Sequence, residues 1–371
     1  MRLTSEQEDL RSAVRGLLDR CRLGPEPDLA AERALWHRLC TEIGVAGLAI
    51  PERYGGAGAG LPEVHVVMEE LGRLLVPSPM LGSAVLATQA LLGSQDEAAC
   101  SRLLPALADG SAVAALAWTT AAGRFDPAEV ACRADERGGT AAVRAAESDN
   151  WLLTGEAHYV LDGADASVLL VPAILPGRGT GLFEVHPGQP AVTRGECATM
   201  DDTRRLAVVA LDGATAGRIG GEAALDRARD AACIALSAEQ VGAAAEALAL
   251  TVAYTKVRVQ FGRPIGGFQA PAHRMAEMHV LVESARSLSY AAAEAAQQQA
   301  PDAGLRAAAA KTYCSEALQQ VSAEMIQLHG AIGMTWEHQA HRYFKRAHGA
   351  AMLLGTPASH TGRIAAAVID G

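Results

Sequence analysis

The sequence predicts a segregated α+β fold, with helices first, then a sheet, then helices again. Three observations predict it. Apolar residues recur at helical spacing up to about residue 110 and again from about Glu222 onward. Between them lie short runs, many with β-branched residues, broken by Gly, Pro and Asp at irregular intervals. Alanine is abundant and aromatic residues make up only 4% of the 371, a composition that suits closely packed helices. These shifts divide the chain into an N-terminal helical domain (1–112), a middle β domain (113–221) and a C-terminal helical domain (222–371).

The first helix is marked by Leu10, Val14, Leu17, Leu18 and Cys21 on one face, with Thr4 or Ser5 able to cap it. A second, LAAERALWHRLCTEIG, runs to Gly44. The following GLAIPERYGGAGAG carries Pro51 and Gly47, Gly55, Gly56, Gly58 and Gly60, which forbid regular helix and predict a loop. Helical spacing resumes at Val64, Val67, Met68, Leu71 and Leu74 and continues through SAVLATQALLG and AACSRLLPALADG. The predicted strands are SAVAALAWTT, VACRAD, TAAVRAA, WLLTGEAHYVLDGADASVLLVPA, GLFEVHPG, AVTRGEC and RLAVVALDGA. Four alanine-rich helices follow, over 223–257, 270–299, 304–328 and 342–354.

Half the residues are apolar, enough to bury a sizeable core, and the net charge is −10. No cluster of Lys or Arg offers a surface for phosphate backbones or anionic lipid, so neither nucleic acid nor a membrane is an expected partner. The N-terminus mixes charges from the start and no later segment reaches about 18 uninterrupted apolar residues, so a cytoplasmic location is expected. Seven scattered cysteines without a CxxC pair or clustered histidines predict neither a disulfide framework nor a metal site.

Two stretches have the composition of a cofactor cradle: 258–273, RVQFGRPIGGFQAPAH, and 327–346, QLHGAIGMTWEHQAHRYFKR. Each sets charged or amide donors beside an aromatic ring and follows them with glycines that let backbone approach a ligand closely. A guanidinium can pair with a pyrophosphate, and a ring can pack on a flat heterocycle. Arg258 and Phe261 are expected at the end of a helix. By Arg258, Gln260 to Gly262, Pro264, Ile265, Phe268 to Ala270 and His273, with Gln327 to Gly330 and Gly333 to His338, the chain resembles the acyl-CoA dehydrogenase flavoproteins over most of its length.

That resemblance implies an N-terminal helical domain, a middle β-barrel and a C-terminal four-helix bundle, with FAD held between subunits. Arg258 and Phe261 match residues that reach the FAD of a neighbouring subunit. Gln269 matches a flavin-nucleotide contact, and Gln327, Leu328, His329, Gly330 and Ala331 match the segment lying along its ADP part, with Ala331 where a glycine is usual. Trp118 and Thr119 align with the segment whose backbone and threonine bind the isoalloxazine ring. Departures follow: Thr120, Ala121 and Phe125 replace the usual acidic residue, proline and serine, and Tyr159 and Leu161 stand where Trp-x-Thr faces the flavin. Trp118 and Tyr159 read equally well as sheet-core side chains.

Dehydrogenating an acyl thioester requires a carboxylate to remove the α-proton while the flavin takes the β-hydride. Many relatives place that glutamate directly before Gly-Thr; here Leu354 precedes Gly355 and Thr356, and only its backbone N–H could polarise a thioester carbonyl. Others place the base where Ala232 stands. Glu239 is the candidate base, seven residues on and about 10 Å further along the same helix face. Its alternative role is a hydrogen-bonded helix residue, and Glu246 suits a solvated face. Glu337, His338 and His341 read as structural or nucleotide-contact residues, and the glycine loop at 55–60 as structural.

The resemblance implies an oxidoreductase on CH–CH donors that introduces an α,β double bond into an acyl-CoA or acyl-carrier-protein thioester. Electron transfer flavoprotein would be the acceptor, and the assembly a homodimer or homotetramer. The missing base leaves two alternatives: a non-catalytic or FAD-cradling subunit of a heterotetramer, or a same-fold flavoprotein with altered chemistry.

Overall fold

The computed structural model describes residues 3–24, 28–137 and 151–370. The strand expected at TAAVRAA lies outside them.

Helix α1 (Ser5–Arg20) starts where Thr4 and Gln7 cap each other reciprocally, and it buries Val14, Leu17 and Leu18. Asp28 caps α2 (Leu29–Arg38) by accepting from the Ala30 and Ala31 amides. The glycine-rich loop turns tightly at Gly56, where a β-carbon would fall 2.1 Å from the Ile50 carbonyl oxygen. Next come α3 (Leu61–Arg73), a wide-turn helical stretch (Met80–Ala87) leading into α4 (Thr88–Ser94), and α5 (Glu97–Ala108).

Among the described residues the middle domain has seven strands in one sheet: β1 (Ala114–Leu116), β2 (Cys132–Glu136), β3 (Trp151–Leu161), β4 (Val168–Leu175), β5 (Gly179–Val185), β6 (Val192–Glu196) and β7 (Leu206–Gly221). Pairings run β4–β2–β3–β7–β5, and β5 pairs back onto β4, so the sheet closes on itself as a barrel. Its interior is a separate apolar cluster that includes Leu153, Leu169, Phe183 and Val209.

The C-terminal domain comprises α6 (Glu222–Val257), α7 (Gln269–Gln297), α8 (Ala303–His329), α9 (Ala340–Met352) and α10 (Pro357–Asp370). Helices α6, α7 and α8 pack on one another, and α9 and α10 both pack on α8. Helix α6 carries a stretch long and apolar enough to cross a bilayer, which the sequence reading did not register, and 72% of that stretch is buried inside the protein. It is the central strut. Its N-terminal half shares one core with the N-terminal helices, and its middle packs against α7 and α8.

The crossing of α3 over α6 fixes the site described next. A β-carbon on Gly72 would lie 2.0 Å from the Glu239 carbonyl oxygen, and one on Gly242 1.9 Å from that of Glu69. Only glycine lets the two backbones approach this closely, which sets the height of Glu239 against the N-terminal helices.

Candidate cofactor and acyl site

The residues singled out from sequence fall into three places. The first is the open surface after α6. The helix stops at Val257, Arg258 turns extended, and β8 (Val259–Gln260) and β9 (Arg263–Pro264) form a small hairpin. Phe261 (φ 51°) and Gly262 (φ 79°) are its turn, the left-handed pair that a two-residue hairpin demands. Phe261 is thus on a hairpin tip, not at the end of a helix, and is 92% exposed. Arg258 and Gln269 are also exposed, and the Arg263 guanidinium lies 4.0 Å over the Phe268 ring.

Gln327, Leu328 and His329 form the last turn of α8, which Gly330 ends with φ 65°. Gln327 and Ala331 face solvent. His329 is buried, stacked on Tyr254 at 4.4 Å and close to His338 at 4.3 Å. Its Nδ1–H donates to the Met325 carbonyl, and its Nε2 has no partner among the described residues. Trp336 and Met334 stand out beyond it, 76% and 73% exposed. Glu337 is exposed, and His341 meets the Trp336 ring edge-on. Bare aromatic and aliphatic side chains in this number mark a surface that something covers.

The second place is the mouth of the barrel, and its character is opposite. Trp118 is fully buried, stacked on Phe125 with ring centres 4.0 Å apart, and its indole N–H donates to the Asp126 carbonyl. The Thr119 carbonyl accepts from the His158 amide. Leu161 is buried in the same core, while Tyr159 (φ 54°) is turned partly outward. The two positions at which the resemblance would place a base are apolar and closed: Ala232 is 0% and Leu354 4% exposed. Leu354 has φ 58°, and its carbonyl accepts from the His360 ring at 2.8 Å. Thr356 is half-buried and its hydroxyl oxygen accepts from the Ser359 amide.

The third place surrounds Glu239. Its Oε1 accepts from Arg204 and from Arg346, each at 2.5 Å. Arg346, 2% exposed, also donates to Asp201 Oδ2 at 2.8 Å and to the Thr203 carbonyl at 2.8 Å, and the Thr203 hydroxyl donates to Asp201. Burial pushes the Glu239 carboxyl up, but the two guanidiniums outweigh it and hold the group below the ordinary carboxylate range. Asp201 is depressed in the same way, against its burial, by Arg346 and Arg204. Glu239 here is an ionised acceptor of two charge-assisted hydrogen bonds, a poor proton acceptor near neutral pH. Arg204, Glu239 and Arg346 line part of a cavity of about 120 Å³ at the junction of the three domains.

Sequence reasoning missed Arg204, Arg346 and Asp201. One signal was available: Arg346 lies three residues after Tyr343 and four before Ala350, on the buried stripe of an amphipathic helix. An arginine on an apolar stripe implies a buried acidic partner. Arg204 and Asp201 sit in a loop between strands, where periodicity carries no information.

Residues 4–111 match the acyl-CoA dehydrogenase N-terminal domain and residues 222–369 the acyl-CoA dehydrogenase C-terminal domain. Acyl-CoA dehydrogenase IpdE2 of Mycolicibacterium smegmatis is 37% identical over 372 residues, covering 99% of this chain and 100% of that protein. The chain belongs to the acyl-CoA dehydrogenase family. IpdE2 of Mycobacterium tuberculosis is 38% identical over 358 residues, covering 95% of this chain and 94% of that one. Among solved structures, a variant of the Tcur3481-Tcur3483 steroid ACAD superposes with a TM-score of 0.87 at 31% identity, covering 99% of this chain and 98% of that one. The ChsE4-ChsE5 complex from Mycobacterium tuberculosis gives 0.87 at 27% identity, covering 100% and 99%.

As a family member the chain is an oxidoreductase of CH–CH donors, with FAD as cofactor and an acyl thioester as substrate. FAD supplies the hydride acceptor. The fit of this acyl-CoA dehydrogenase chain to FAD differs between its two halves. Arg258, Phe261, Gln269, Gln327, Gly330 and Ala331 are exposed, and their guanidinium, ring, amide and backbone donors suit a nucleotide. At the barrel mouth Trp118 has no free face and its N–H already donates to Asp126, so its side chain is not available to a flavin ring, whereas Thr119 and Tyr159 beside it are partly exposed.

Proposed function

We propose that this chain is the FAD-cradling subunit of a two-polypeptide acyl-CoA dehydrogenase, with the proton-accepting carboxylate supplied by its partner. One observation carries the reading: the C-terminal cradle is open, with Phe261 92% exposed, while Trp118, in the segment that aligns with the family's ring contact, is folded into the core at 0%. The base positions agree with it. Ala232 and Leu354 cannot take a proton, and Glu239 is held ionised by Arg204 and Arg346. On this reading the 327–331 backbone and Arg258 bind the FAD nucleotide and Phe261 covers it, while the partner holds the ring against the thioester. Glu239 and its arginines keep the barrel, α6 and α9 in register. A neighbouring structure is described as the ChsE4-ChsE5 complex, which supports a pairing of unlike chains. The thioester is carried on CoA or a carrier protein, electrons leave to electron transfer flavoprotein, and the assembly works in the cytoplasm.

Glu239 as the base is the competing reading, favoured by its position on the cavity wall. The two are separated by purifying the chain alone and measuring flavin per polypeptide, then adding acyl thioesters anaerobically. The proposal expects no retained flavin until a base-bearing partner is co-expressed. One flavin per chain, bleached by a thioester and no longer bleached in Glu239→Gln, would establish the competing reading instead.

A further inference from the structure

Three packed rings tie the two stretches of the open cradle to one another. Tyr254 lies one turn before the end of α6, and its carbonyl accepts from the Arg258 amide at 2.9 Å. Its ring stacks on that of His329, in the last turn of α8, with centres 4.4 Å apart and planes 23° from parallel. Its hydroxyl donates to the His329 carbonyl at 3.4 Å. The His338 ring lies 4.3 Å from that of His329 and 6.4 Å from that of Tyr254, and its Nδ1 accepts from the amide of Ala340, the first residue of α9. The rings therefore come from α6, from α8 and from the turn into α9. Arg258 on one side and Gln327 and Gly330 on the other are exposed, so their spacing is set by what packs beneath them.

His329 is the centre of this arrangement and is 3% exposed. Its Nδ1–H is fixed on the Met325 carbonyl at 2.7 Å, which leaves Nε2 as the bare nitrogen, without a partner among the described residues. A proton there would be buried with no acceptor and would set a positive charge 4.3 Å from His338. Tyr254 and His338 are the titratable groups packed on the ring, and His341 acts in turn on His338. None of these can become a compensating carboxylate. Burial accordingly holds both His329 and His338 below the ordinary histidine range.

Resting on the assignment of these stretches to the FAD nucleotide, we infer that His329 is a positioning residue of the cradle: its neutral ring, packed on Tyr254 and His338, fixes Arg258 against the 327–331 backbone, and its protonation loosens that spacing. The stack lies wholly within one chain, so the cradle is preformed before any partner arrives. Acid weakens FAD binding, and the effect is reversed as pH rises through the histidine range.

The test measures the affinity of the full chain for FAD by calorimetry at several pH values between about 7.5 and about 5.5. Far-UV circular dichroism of each variant checks that it is folded. His329→Ala is expected to bind FAD about tenfold more weakly at the upper pH, as the upper value of an aromatic pair allows, and Tyr254→Leu to follow it. His329→Phe keeps a ring that cannot take a proton. It is expected to stay within about twofold of wild type at the upper pH and to lose the acid-induced fall of about tenfold that wild type shows. Should His329→Ala not fold, the pH profile of His329→Phe decides. The inference is overturned by wild-type affinity in His329→Ala, by a pH profile that His329→Phe shares with wild type, or by no measurable FAD binding to the chain alone. Arg258→Ala separates its failure from that of the subunit assignment: unchanged affinity in that variant overturns the assignment itself, whereas weakened affinity there with none in His329→Ala overturns only the role of His329.

Discussion

The hairpin after α6 and the mouth of the barrel, which the family resemblance joins in one cofactor site, differ in opposite ways in this chain. At the hairpin, Phe261 is 92% exposed and Arg258 faces solvent. At the barrel, Trp118 is 0% exposed and stacked on Phe125. Side chains kept bare against the hydrophobic effect need a function outside the chain, whereas side chains folded into the core stabilise the chain itself. A cradle can therefore be lent while Trp118 stabilises its own chain. The same contrast separates the tests: changes on the barrel side are expected to act on stability, and changes at the hairpin on assembly.

The largest effect is expected at Arg346. Arg346→Leu leaves Glu239 and Asp201 buried with one guanidinium fewer, and breaking such a pair costs about 5 kcal/mol at the upper end. Urea unfolding should read this as a fall in midpoint without a change in slope. A neutral result would mean that the network is not what holds α9 to the barrel. Next is Trp118→Ala, expected to cost about 4 kcal/mol through the cavity it leaves. Retention of full stability there would show that Trp118 is not held by the core, and would make its face available to a flavin ring.

A smaller effect separates these networks by pH. His65 is fully buried at the seam between α3 and α7, its Nε2 2.7 Å from Ser289 Oγ, and burial lowers it to about 3. The unfolded histidine takes up a proton near pH 6.5 that the folded one refuses, so its contribution is complete above that pH and is lost as pH falls toward 3. Comparing wild type with His65→Gln should reveal about 1.4 kcal/mol of this loss per pH unit between pH 6 and 4. Glu239 and Asp201, whose carboxyls are depressed, contribute fully above their unfolded values near 4 and lose that contribution only below them. The difference between wild type and His65→Gln at pH 5 therefore reports His65, whereas wild-type curves at pH 3 carry the arginine network as well as the other buried histidines such as His360.

What could be read from sequence follows from the physics of each part. The helix–sheet–helix order was legible, because helical and strand spacing differ and α6, α7 and α8 are long. The chemical character of the 258–273 and 327–346 stretches was, because their donors, rings and glycines fall in two short runs of chain; the exposure of Phe261 on a hairpin tip was not. The state of Glu239 was not. Its two partners lie 35 residues upstream and 107 downstream, and pairing across that separation depends on the Gly72–Gly242 crossing. The packing of the barrel mouth was only half visible: Phe125 could be read as a departure, but not its stacking on Trp118.

The smallest stability effect is expected at the hairpin, and there it is the informative one. Phe261→Ala and Arg258→Ala remove side chains that touch little of their own chain, so unfolding of the isolated polypeptide should move by no more than about 0.5 kcal/mol. Interface aromatics and arginines are, by contrast, the residues that most often dominate an association. Co-purified with a partner, Phe261→Ala should lower retained FAD and weaken the complex, and Arg258→Ala should weaken FAD retention further at high salt, where the remaining charge contacts are screened. Both quantities are read from one gel-filtration run that records polypeptide and flavin absorbance. If Phe261→Ala lowers the stability of the chain alone as much as Trp118→Ala does, the two halves are alike after all, and the division between lent cradle and core-packed Trp118 fails.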